Sequence, residues 1–164
     1  MEPYRTLALL TGSLGLVSTL VALSTNFWVV ATGPNHSAHS GIWPTEGTEA
    51  GYIHATQSFS ILATLWGLVS VVILVLSFFP LLLSTPGRRP LVSAVTAFAA
   101  GLFMIVAMAV YTSERWGQVP NPQIQLFFGW SFYVGWLSIL FWLSTGALSL
   151  CAHSGPRPDG YESV

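Results

Sequence analysis

Charge is what this sequence has least of: five basic and six acidic side chains in 164 residues, against a hydrophobic fraction of 52%. A soluble domain of that composition would expose apolar patches far larger than water tolerates, so lipid has to be the main solvent. Between Arg5 and Glu46, Glu49 and Arg88, Arg89 and Glu114, and Arg115 and Arg157 there is no Asp, Glu, Lys or Arg at all. Ionisable groups inside a membrane mark ion pathways, proton relays and charged-substrate sites, so their absence disfavours a pump or transporter. Cysteine is scarce too: Cys151 stands alone, which excludes an intrachain disulfide. No Ser-His-acid or metal-ligand spacing is present either, since His36, His39 and His54 lie near Glu46 and Glu49 without clustered ligands. The expectation is a protein with no catalytic residue, no cofactor, no metal and no nucleic-acid partner.

What is there is four apolar runs, each long enough to cross a bilayer at about 20 residues per crossing. They predict spans at 7–30, 58–83, 91–111 and 127–150 in a single four-span membrane domain over residues 1–164. Each should be a helix, because a lone segment in hydrocarbon must satisfy its own backbone hydrogen bonds. Arg5, Arg88, Arg89 and Arg157 fall on one side of these spans and only Arg115 on the other, so the positive-inside rule puts both termini in the cytosol. The connections at 31–57 and 112–126 then face outward or into an organelle lumen, whereas 84–90 and the tail 151–164 are cytosolic. The first span exceeds the apolar core of a cleaved signal peptide and reads as a retained anchor.

Small residues recur at four-residue spacing: Thr11, Gly15 and Thr19; Ala63 and Gly67; Ser93, Ala97 and Gly101; Ser131 and Gly135. This places them on one face of each helix, where backbones approach closely and a left-handed bundle is expected; the spacing leaves contact within the chain and oligomerisation equally open. Phe127 to Tyr133 reads as an aromatic belt on the outward side, and Trp130, Trp136 and Trp142, six residues apart, make no single stripe. Pro86, Gly87 and Pro90 predict a tight cytosolic hairpin, whose Arg88 and Arg89 set topology or touch anionic headgroups.

Four short features carry the remaining information. Asn35, His36 and Ser37 form an N-glycosylation sequon on the outward side. Three outward histidines would gain charge in an acidic lumen, which admits a pH-sensing loop. Cys151 follows the last span, where a thiol is either a palmitoylation site or an inert free cysteine. The chain ends in Gly160, Tyr161, Glu162, Ser163 and Val164. A cytosolic Tyr-x-x-hydrophobic tail after Gly resembles the sorting signal of lysosomal membrane proteins, with Tyr161 and Val164 entering separate pockets of a clathrin adaptor. Docking of the Val164 carboxylate at the sheet edge of a PDZ domain is the weaker alternative.

Trp28, Gly41, Ile42 and Trp43 resemble the first outward loop of the peripheral myelin protein, epithelial membrane protein and claudin group. That resemblance implies an all-α membrane fold of four spans, cytosolic termini and a small outward antiparallel sheet from the first outward loop. Trp favours the membrane–water interface, so Trp28 and Trp43 are expected to pack together at the outer membrane face. Pro44 and Thr45 follow Trp43 where claudins lead into paired cysteines, which puts a disulfide-pinned loop and strand polymerisation in doubt. Within the group, the runs Ser37–Gly41, Gly51–His54 and Met108–Trp116 and the Gly-Tyr tail are similar to the branch found in cytotoxic granule membranes. That implies residence in granules and plasma membrane, a part in exocytosis and killing, and lateral membrane-protein partners of unknown identity beside the lipid bilayer. A claudin-like adhesion protein and an auxiliary subunit of a channel or pump are the alternatives.

Overall fold

The computed structural model describes residues 2–35, 37–43, 51–79, 89–116 and 125–154. Their order is α1 (Glu2–Ser24), β1 (Val29–Thr32), β2 (Ser37–Ser40), α2 (Gly51–Ser77), α3 (Arg89–Trp116), β3 (Gln125–Phe128) and α4 (Trp130–Ser154). The helices run 23 to 28 residues. At 1.5 Å per residue they reach roughly 35–42 Å, more than the hydrocarbon core demands. All four are long and apolar enough to cross a membrane, and the protein is a multi-pass membrane protein.

The boundaries differ from the sequence expectation at both ends of the bundle: at one end α1 begins at Glu2, α2 stops at Ser77 and α4 runs on to Ser154, and the other end changes in kind. Val29 and Val30 leave the first expected span for β1, and Phe127 and Phe128 leave the fourth for β3. α2 begins at Gly51 and α3 continues to Trp116, so helix occupies part of both connections expected to be loops. Hydropathy alone does not separate a short apolar strand from the last turn of an apolar helix. Pro90 sits in the first turn of α3, where a missing N–H costs nothing. The rest of the expected hairpin lies outside the described residues.

Buried positions recur with alternating steps of three and four. In α1 they are Ala8, Gly12, Gly15, Thr19 and Ala22; in α2, Ile53, Thr56, Ser60, Ala63, Gly67, Ser70 and Leu74. α3 contributes Ser93, Ala97, Ala100, Met104, Ala107 and Tyr111, and α4 contributes Ser131, Gly135, Ser138, Trp142, Thr145 and Ser149. A repeat of 3.5 residues is the period of left-handed supercoiling. The small-residue stripes therefore turn inward and serve contact within the chain. α1 lies against α2 and α4, and α3 against the same two, so the helices close a ring.

Trp142 fills the middle of that ring and is fully buried. Its indole rests against Gly15 of α1 at 3.2 Å and its Cβ against Gly101 of α3 at 3.4 Å, each measured from where a Cβ on the glycine would stand. A Cβ on Gly67 of α2 would collide with the Trp142 ring. Three side-chain hydrogen bonds cross from the α1 side to α4: Thr25 with Ser131 at 2.5 Å, Trp142 Nε1 to Thr19 Oγ1 at 3.0 Å, and Thr11 with Thr145 at 2.9 Å. Ser70 and Ser93 join α2 to α3 at 3.1 Å. Such bonds are worth about 0.6 kcal/mol each in a membrane, so close contact between small residues carries the association.

The sheet has three antiparallel strands in the order β2-β1-β3. β1 pairs Val29 with Ser40 on one side and with Phe128 on the other. The first connection supplies two of these strands, as expected. The third, β3, comes from the segment before α4.

Candidate functional site

A helix that stops leaves its last carbonyls without intrahelical donors. At the end of α1, Thr25 still donates its backbone N–H to Val21 O at 3.1 Å, but the chain then turns away. The next two carbonyls are taken by indoles: Trp28 Nε1 donates to Ala22 O at 2.6 Å and Trp43 Nε1 to Leu23 O at 2.8 Å. The two tryptophans of the loop motif thus cap one helix.

Backbone bonds fix Trp28 in the sheet as well. Its N–H donates to Ser40 O at 3.1 Å, and its carbonyl accepts from Gly129 N at 2.9 Å. A Cβ on Gly129 would overlap the Phe27 carbonyl, and one on Gly41 would lie 2.8 Å from Thr25 O. Both positions need glycine because main chain passes directly over them. Gln57 of α2 donates to Ile42 O at 2.5 Å, tying the motif to a second helix.

The Trp28 ring is completely buried beneath the sheet. It meets Tyr111 of α3 edge-on at 4.9 Å and Phe132 of α4 at 6.4 Å, and Tyr52 of α2 stands 6.1 Å from Tyr111. Ala22, Ile42, Met104 and Met108 complete this cluster. The cluster around Trp28 is therefore where all four helices and the sheet meet.

Sequence reasoning placed Trp28, Gly41, Ile42 and Trp43 in one motif, and the structure brings them together around the end of α1. It does not stack the two tryptophans: Trp43 remains 43% exposed while Trp28 is fully enclosed. The expected aromatic belt divides likewise. Phe127, Trp130 and Tyr133 face outward, whereas Phe132 points inward and stacks on Phe128 at 4.1 Å. On the outer surface Phe27 stacks on His39 at 4.1 Å and on Trp130 at 5.5 Å, and His39 Nδ1 lies 2.9 Å from Asn26 O. His54 is exposed in the first turn of α2, and no group of His, Cys, Asp or Glu among the described residues forms a metal site. Asn35 is exposed in the turn between β1 and β2, and Cys151 is exposed in the last turn of α4. His36 and the tail motif Gly160, Tyr161 and Val164 lie outside the described residues.

Sequence reasoning missed Gln57, Gly129 and the Trp142–Thr19–Gly67 contact. The one advance signal was Gly67 and Thr19 among the small-residue stripes, which marks a face but not the indole that fills it.

Residues 5–149 match the PMP-22/EMP/MP20/Claudin family. The chain belongs to that family. It is 64% identical to Protein NKG7 of Homo sapiens over 167 residues and 62% identical to Protein NKG7 of Mus musculus over 166, covering 100% of both chains in each case. The lens fiber membrane intrinsic protein of Rattus norvegicus is similar at 26% identity over 147 residues, 85% of each chain. As a member of this family the chain carries its aromatic site at the sheet end without the support of any cysteine, since Cys151 is at the far end of α4. Two indole caps, Gln57 and two backbone-crossing glycines hold the loop instead.

Proposed function

We propose that this protein is a non-enzymatic component of the limiting membrane of cytotoxic granules or secretory lysosomes, cycling to the plasma membrane and promoting granule exocytosis and lymphocyte-mediated killing. The observation that carries the reading is likeness to Protein NKG7 from end to end, at more than twice the identity shared with the lens protein. The interior of the bundle supports it. Trp142 closes the centre of the ring and no Asp, Glu, Lys, Arg or His is buried among the described residues, which favours action through the ends and lateral faces over a conduction path.

In this reading both termini are cytosolic and the sheet end faces the granule lumen, as the arginine distribution favours. Gly160, Tyr161 and Val164 present an extended tail to a clathrin adaptor. The lateral faces of the helices engage membrane partners of unknown identity. Tyr161→Ala, expressed beside wild type in killer lymphocytes, should move the protein from granules to the cell surface and lower granule release. Unchanged granule residence would remove the tail as the sorting determinant.

A further inference from the structure

We infer that Asn35 carries an N-linked glycan at the tip of the β1–β2 hairpin. This rests on the lumenal placement of the sheet end proposed above. The sequon Asn35-His36-Ser37 has no proline at its centre, which the modification forbids. Thr32 and Ser37 form the last pair of the hairpin, so Asn35 lies beyond the final rung, and both Asn35 and Ser37 are exposed. Neither side chain is needed by the core.

Reach from the membrane is sufficient. α1 ends at Ser24, eleven residues before Asn35. An extended chain of that length spans roughly 36–40 Å, whereas the headgroup zone on one side of a bilayer is only about 5–8 Å deep. The nascent segment can therefore carry Asn35 clear of the headgroups before the hairpin closes.

Transfer joins Asn35 Nδ2 to the anomeric carbon of a polyprenyl-pyrophosphate-linked oligosaccharide. The anomeric C–O bond breaks, the polyprenyl pyrophosphate leaves with the bonding electrons, and the amide gives up one proton to base. A glycan here stands beside β2, the outer strand of the sheet among the described residues. An open strand edge is a template for pairing with another chain. The sugar covers that edge and disfavours sheet-to-sheet association between copies.

The test uses the full chain in mammalian cells, with an epitope inserted after Gly47 to report the side of the membrane. Treatment with peptide N-glycosidase should shift wild type and Ser37→Thr by one discrete step on a denaturing gel. Asn35→Gln and Ser37→Ala should both run at the deglycosylated position and lose the shift. With the epitope shielded from antibody until internal membranes are opened, an unshifted wild type overturns the glycan while leaving the orientation standing. An epitope reached from the cytosol overturns the orientation and the glycan together.

Discussion

Among the described residues two tryptophans are sealed inside, and they are held in opposite ways. Trp28 lies under the sheet among large partners, Tyr111, Phe132 and Ile42, and its indole N–H satisfies a main-chain carbonyl abandoned by the end of α1. Trp142 lies in mid-bundle against Gly15, Gly67 and Gly101, and its indole N–H reaches Thr19 Oγ1, a hydroxyl that already donates to Gly15 O at 2.7 Å. At the sheet end an aromatic residue completes the hydrogen bonding of the backbone. In the bundle the helices have satisfied themselves, and the aromatic residue only fills the volume that glycines leave. The same side chain is thus a cap in one place and a filler in the other.

The sharpest way to break this contrast is Trp28→Ala. It empties the cluster at cost of about 3–5 kcal/mol and strands the Ala22 carbonyl, so thermal scanning in mild detergent should show little or no cooperative transition. Retention of a transition near that of wild type would mean that the sheet is not what holds the helix ends. Next is Gly67→Ala, which forces a methyl into the Trp142 ring and should cost about 1–3 kcal/mol. Combining it with Trp142→Leu should recover part of that loss, because the obstacle is volume; absence of any recovery would show that Trp142 is more than a filler. The smallest effect is expected for Thr19→Val, about 0.6 kcal/mol as for other side-chain hydrogen bonds in membranes. A loss comparable with that of Trp28→Ala would erase the distinction between the two sites.

The number of spans was readable because charge is excluded from hydrocarbon and nothing else in this chain interrupts the apolar runs. Their ends at the sheet were not. Val29–Val30 and Phe127–Phe128 are as apolar as the helices they adjoin, and they become strands only because each pairs with a segment distant in sequence. The four-residue spacing of small residues disclosed half of the true pattern; the intervening steps of three, through Gly12, Ala100 and Ser138, appear once the buried faces are known. At the site, Trp28, Gly41, Ile42 and Trp43 were legible through a family resemblance alone. Gln57, which holds Ile42, was silent, since a glutamine near the start of a span looks like any residue at a boundary.

The pairing of Val29 with Phe128 sets a schedule for making the protein. While the first three helices enter the membrane, β1 has no β3 to pair with, and the enclosure around Trp28 lacks Phe132. Only the emergence of the fourth helix supplies both. Closing so long a loop is slow compared with helix formation, and it comes last. An exposed Trp28 is therefore a sign of unfinished synthesis, and its disappearance under the sheet marks a chain that has been inserted from end to end.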